Sequence, residues 1–283
     1  MNEAELLFSE ILKTDRLSLY LDKDRLLDKA CGLKVSSVMR RRIKGEPIQY
    51  ILGKTEFMGL EFKVGPDVLI PRPETEILVE TAIKLSSVVR IPSSVYRRPS
   101  FVNGGSSSII NILDIGTGSG CIAVSLAKSL PGAKVDAIDI SPEALEIAKQ
   151  NALLNNVTVN FIHGDLFNIF KRTTNDGVRT TKYNLIVSNP PYIPSEQISR
   201  LQPEIQYEPR ISLDGGTDGL DFYRRMIYDA PAHLEQGGYL LLEAGLRQMP
   251  AIKIILENSR KFEIIEVVKD YNNIDRVVVA QKS

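Results

Sequence analysis

Cysteine is scarce in this chain: two in 283 residues, Cys31 and Cys121, far apart and in unlike contexts. No CxxC pair and no metal-ligand spacing occurs, which argues against a disulfide framework and against a structural zinc site. Histidine is equally sparse, and His163 and His233 read as surface or turn residues rather than catalysts. Net charge is absent, with 35 basic against 35 acidic residues. Nucleic-acid-binding enzymes usually carry excess Lys and Arg, so this balance argues against one. The run Arg40, Arg41, Arg42, Ile43, Lys44 reads as a solvated helix face. No apolar run reaches the roughly 18 residues of a membrane span. The first fifteen residues are acidic and amphipathic, which is not the pattern of a signal peptide. The expected location is cytoplasmic.

What is present is ordinary globular material: 43% hydrophobic and 25% charged residues, in a length that suits one large domain with a smaller one. Residues 1–45 carry Leu6, Leu7, Ile11 and Leu12, then Leu26, Leu27 and Ala30, at helical spacing. They predict a small helical domain. Residues 46–73 change character. Segments 55–58 and 60–64 alternate around Gly59 and predict a hairpin linker, after which Pro66, Pro71 and Pro73 break the chain. The main domain runs over 74–283, opening on a helix at 74–85. Within it, the serine-rich stretch 86–108 reads as a flexible surface insert, and 171–182 as a second polar insert.

From residue 109 the pattern alternates. Strands are predicted at 109–115, 134–140, 157–162, 184–188 and 238–244, and helices at 119–130, 142–154, 218–233 and 246–258. Ser141 reads as an N-cap with Pro142 at the first helical position. Two β-rich runs, 262–269 and 276–281, close the chain around a turn short enough to require antiparallel pairing. The fold class is therefore α/β: a mostly parallel sheet with an antiparallel C-terminal hairpin, in the manner of Rossmann-like methyltransferases, plus the N-terminal helical domain.

The first strand runs into Asp114, Ile115, Gly116, Thr117, Gly118, Ser119 and Gly120. The dinucleotide fingerprint is G-x-G-x-x-G. Here the glycines fall as G-x-G-x-G, with Cys121 where that fingerprint wants its third glycine. The order resembles motif I of S-adenosylmethionine methyltransferases, which makes 116–120 the expected cofactor loop. Asp139 closes the second strand and can accept from both ribose hydroxyls. Asp136 competes on number alone; alternation favours Asp139. After the third strand, Asp165 can hold the adenine amino group and Leu166 can pack on the ring, unless the stretch is an ordinary turn.

The fourth strand ends in Ser188, Asn189, Pro190, Pro191 and Tyr192. Two prolines fix the backbone, and the residue before a proline is held extended. An amide nitrogen is a poor nucleophile because its lone pair is delocalised. The Asn189 side-chain oxygen and the Pro190 carbonyl are two acceptors that can take both its N–H hydrogens and aim it at a methyl carbon. Tyr192 can lie on the planar group and favour a cationic sulfonium. No acid, base or metal is required.

Four stretches together resemble the bacterial protein-glutamine N(5)-methyltransferases that modify peptide chain release factors: 49–53 (QYILG), 69–76 (LIPRPETE), 188–192 (SNPPY), and 207–210 (YEPR) leading to 213–223 (LDGGTDGLDFY). The resemblance implies a helical N-terminal domain that docks substrate, a hairpin linker and a methyltransferase domain. It implies S-adenosyl-L-methionine held by Gly116, Gly118, Gly120, Asp139, Leu166 and Asn189. It implies that Asn189, Pro190, Pro191 and Tyr192 hold the glutamine of a Gly-Gly-Gln loop in class 1 release factors. A monomer without stable nucleic-acid binding is expected. The alternative is an N(6)-adenine methyltransferase, which shares the Asn-Pro-Pro-Tyr chemistry; zero net charge and the lack of a target-recognition domain after the core count against it.

Overall fold

A computed structural model describes residues 3–22, 26–89, 109–171 and 182–283. Most of the stretches 86–108 and 171–182 lies outside the described residues.

The N-terminal region forms α1 (Glu3–Leu12), α2 (Arg16–Leu21) and α3 (Lys29–Ile43). The side chains of Asp15 and Asp28 cap α2 and α3 by accepting from the backbone N–H three residues on. A short helix not foreseen, α4 (Ile48–Leu52), follows Pro47 and stops at Gly53, whose φ of +75° suits glycine. Then comes the expected hairpin, β1 (Lys54–Phe57) and β2 (Leu60–Lys63), with left-handed Met58 and Gly59 at its turn. Phe57 and Phe62 point into the main core, so the hairpin is built onto the large domain. Asn151 fastens it: Oδ1 accepts from Lys63 N (2.7 Å), and Nδ2 donates to Lys63 O and Ser119 O.

Helix α5 (Pro73–Val89) runs four residues further than predicted. Its last turn absorbs Ser86 and Ser87, whose hydroxyls donate to carbonyls three residues back. The alternation follows: β3 (Asn111–Ile115), α6 (Cys121–Ser129), β4 (Lys134–Asp139), α7 (Pro142–Leu154), β5 (Asn160–His163), β6 (Tyr183–Ser188), α8 (Asp221–Asp229), β7 (Leu234–Glu243), α9 (Met249–Ser259), β8 (Phe262–Lys269) and β9 (Asp275–Lys282). The Ser141 cap is present. Helix α8 is shorter than expected because Pro231 turns its end into a 3-10 segment. His233 lies in a turn, one of the two settings expected for it, and is buried there and stacked on Phe167.

The seven-stranded sheet has the order β5-β4-β3-β6-β7-β9-β8. The first five strands in that order are parallel, and β9 pairs antiparallel with β7 on one side and with β8 on the other. Side chains alternate between faces. Ile112, Leu185, Val187 and Leu241 meet α5, α6 and the hairpin. Leu113, Ile115, Ile186 and Leu240 meet α8 and α9. The order reverses between β3 and β6, and a parallel sheet opens a crevice at the carboxyl ends of its strands there.

Candidate active site

The crevice is a cleft of about 960 Å³ bounded by Gly116, Gly118, Asp139, Leu166, Asn189 and Phe222 among others. The loop after β3 is drawn over β4 by two hydrogen bonds, Gly116 N and Thr117 N to Ile138 O (2.8 and 3.0 Å). Gly116, Gly118 and Gly120 all have positive φ. A Cβ on Gly116 or Gly118 would meet no protein atom within 4 Å, so their backbones face the cleft. A Cβ on Gly120 would press on Ala148 at 3.0 Å, so that glycine serves helix packing. Asp139 Oδ2 accepts from Gly118 N (2.7 Å) and Oδ1 from Ser141 N (2.9 Å). Each oxygen keeps a lone pair for a ribose hydroxyl. Burial raises the Asp139 carboxyl above its ordinary value.

The other two residues of the expected cofactor loop, Thr117 and Ser119, are not among those lining the cleft. Both are buried, and the Thr117 hydroxyl donates to Asp114 Oδ2 (2.6 Å). Asp114 is fully buried, and desolvation pushes it up to about 7. Asp136, the competing acid, is not among the residues lining the cleft and accepts instead from Tyr183 OH and Asn160 Nδ2. Asp165 lies at the cleft, but its Oδ2 is taken by Arg225 (2.6 Å) and Asn168 (3.0 Å). Leu166 lines the same wall in a left-handed conformation. Phe222, with Arg225 5.8 Å above its ring, completes that end.

A second cleft of about 490 Å³ adjoins the first, and Asn189, Pro190, Leu69 and Ser212 line both. Tyr192, Arg72, Ile193, Ile205 and Leu213 complete it. Asn189 Nδ2 donates to Thr75 Oγ1 (3.0 Å). No described residue donates to Asn189 Oδ1 or to the Pro190 carbonyl. Pro191 lines the larger cleft. Tyr192 is braced from below: Gln248 Nε2 donates to its carbonyl (2.8 Å), and Ile193 bridges to Asp214. Burial pushes the Tyr192 phenol up to about 12, so it stays neutral.

Residues 1–53 match the model of the PrmC N-terminal domain, and 106–203 match the methyltransferase small domain. A release factor glutamine methyltransferase from Thermodesulfovibrio yellowstonii is 40% identical over 100% of this chain and 93% of its own length. Its namesake from Geobacter sulfurreducens is 41% identical over 98% and 87%. The chain belongs to the release factor glutamine methyltransferase family. A methyltransferase structure from Pyrococcus furiosus shares the fold at TM-score 0.51 and 18% identity, covering 89% of this chain and 98% of that one.

In this methyltransferase the fold gathers Gly116, Gly118, Asp139, Asp165, Leu166, Asn189, Pro190 and Pro191 around one cleft, and Tyr192 joins Asn189 and Pro190 at the other. Several residues at the clefts had no role assigned from sequence. Asp67, Val68 and Leu69 form one wall and Pro209, Ile211 and Ser212 another. The two walls are clamped by Glu208, which accepts from Ile70 N and pairs with Arg72. The proline-arginine and YEPR stretches were the available signal, since they supply both ends of that clamp.

Proposed function

We propose that this chain transfers a methyl group from S-adenosyl-L-methionine to the side-chain amide nitrogen of the glutamine in the Gly-Gly-Gln motif of class 1 release factors. The observation that carries the reading is the junction at Asn189 and Pro190, where a narrow cleft meets the larger one and two carbonyl oxygens are left unpaired by the described residues. The near-full-length identity to named release factor glutamine methyltransferases supports the substrate.

S-adenosyl-L-methionine supplies an electrophilic methyl carbon when bound. The larger cleft fits it: glycine backbones admit close approach, Asp139 offers acceptors to ribose hydroxyls, and Ile138, Ile140, Leu166 and Phe222 give apolar walls. The glutamine amide enters through the smaller cleft. Asn189 Oδ1 and Pro190 O accept its two N–H hydrogens and aim the lone pair across the junction, and the methylated amide sheds one of those two protons to water. Tyr192 shields one face and, being neutral, does not act as a base. Positioning of this kind supplies several kcal/mol of a displacement barrier. The N-terminal domain docks the body of the release factor, so that a free glutamine peptide is a poor substrate.

Methyl-acceptor specificity tests the proposal. With labelled S-adenosyl-L-methionine, a class 1 release factor accepts label, whereas its Gly-Gly-Asn variant and an adenine-containing DNA duplex do not. Label on the DNA in preference to the release factor overturns it.

A further inference from the structure

A glutamine that reaches Asn189 through the smaller cleft brings its own peptide bonds with it. In a Gly-Gly-Gln segment the residues before the glutamine have no side chains, so the cleft meets bare backbone. Leu69, Ile193, Ile205 and Leu213 make much of its wall apolar. A peptide carbonyl carried in there loses water, at a cost in free energy unless a donor replaces it. Few side chains at this cleft can donate. Asn189 spends Nδ2 on Thr75, and Ser212 donates its hydroxyl to Pro209 O (2.7 Å). Tyr192 covers the reacting amide in the proposed mechanism. Arg72 remains.

A guanidinium carries five N–H donors in a planar fork. Among the described residues Arg72 gives one side-chain hydrogen bond, from Nη2 to Glu208 Oε1. Its Nε and Nη1 donate to no described residue. Glu208 is anchored in turn by accepting from Ile70 N (3.2 Å). The Glu208 side chain is 1% exposed and that of Arg72 32%, so the cation is the open end of the pair. The carboxylate offsets the positive charge, which suits the remaining N–H groups to a neutral dipole rather than to an anion. We propose that Arg72 is a substrate-binding residue: held by Glu208, its guanidinium donates to a main-chain carbonyl of the Gly-Gly-Gln loop beside the glutamine. The assignment rests on the release-factor reading of the active site, and it gives the proline-arginine stretch a task beyond clamping the two cleft walls.

Equilibrium binding of a class 1 release factor, measured by calorimetry with S-adenosyl-L-homocysteine present, tests the assignment. Arg72→Lys keeps a cation for Glu208 but replaces the fork with one compact ammonium. It is expected to weaken release-factor binding about 10-fold, as for one lost charge-assisted hydrogen bond, with S-adenosyl-L-homocysteine affinity within about 2-fold of wild type. A release factor carrying Gly-Gly-Ala lacks the reacting amide but keeps the main-chain carbonyls, so Arg72→Lys weakens its binding by the same factor. Unchanged binding of both release factors overturns the inference. So does a penalty confined to Gly-Gly-Gln, which puts the guanidinium on the glutamine side chain. An equal loss of cofactor affinity also overturns it, because the clamped walls border the larger cleft too and the variant has then only loosened them. Should Arg72→Lys not fold, Arg72→Met combined with Glu208→Gln removes the guanidinium without stranding a buried carboxylate, and the same outcomes decide. If the wild-type protein binds no release factor at all, the release-factor reading fails first and takes the inference with it.

Discussion

At the scale of single residues, the account turns on what Asn189 does and on what lies buried beneath it. Replacing Asn189 with Ala removes one of two acceptors at the reacting nitrogen. Turnover is expected to fall roughly 10²–10³-fold, comparable to losing one preorganised partner at a reaction centre. Cofactor affinity changes far less, because the glycine loop and Asp139 remain; calorimetry beside single-turnover kinetics reads both. A rate unaffected by Asn189→Ala reduces the residue to part of a rigid turn. Beneath the site, desolvation holds Asp114 and Glu243 at about 7. Both carboxyls ionise near about 4 in an unfolded chain. Between those values the folded protein binds more protons than the unfolded one, so stability falls as pH rises from about 4 to about 7 and levels above it. Urea midpoints across that window detect the slope, and Asp114→Asn makes it shallower. A slope of the opposite sign contradicts the buried-acid reading.

Among the elements, the turn after β6 is held by a second set of glycines. A Cβ on Gly219 would stand 2.3 Å from Tyr192 O, and its φ is +76°. A Cβ on Gly215 would stand 2.8 Å from Tyr192 Cα, and one on Gly245 2.7 Å from Tyr192 Cδ2. Gly219→Ala is therefore expected to cost about 1–3 kcal/mol of stability through overpacking and strain, and to lower turnover further by moving Tyr192. Thermal melts with parallel rate measurements check this, and an unperturbed variant contradicts the packing argument. This support was not legible in the sequence, although the LDGGTDGLDFY stretch was. Strand–helix alternation, the glycine loop and Asn-Pro-Pro-Tyr could be read because each demands special residues in a short span. Thr75 could not: it reaches Asn189 across 114 residues, and the contact exists only once the sheet order brings the start of α5 beside the end of β6. The Arg225 partner of Asp165 was equally hidden, since it lies 60 residues away. Helix α4 and the early end of α8 were missed because short helices near proline leave little periodicity.

For the whole molecule, the boundaries matter to how parts are tested. The hairpin belongs physically to the large domain, with Phe57 and Phe62 in its core and Asn151 tying β2 to the glycine loop. The three N-terminal helices meet the rest more lightly, through Arg42 with Glu204 and Tyr207 OH with Lys44 O among other contacts. Removing residues 1–45 is expected to leave S-adenosyl-L-methionine binding intact and to abolish methylation of intact release factor; normal turnover by the truncated enzyme refutes the docking role. Among the described residues no helix is long and apolar enough to cross a membrane. The central claim, methylation of a glutamine side chain, is tested most directly by tandem mass spectrometry of a class 1 release factor after incubation with this protein and isotopically labelled S-adenosyl-L-methionine. A single labelled methyl on the side-chain nitrogen of the Gly-Gly-Gln glutamine, absent with Asn189→Ala, is the expected result. Label at any other atom of the release factor, or none at all from an enzyme that binds cofactor, contradicts the account.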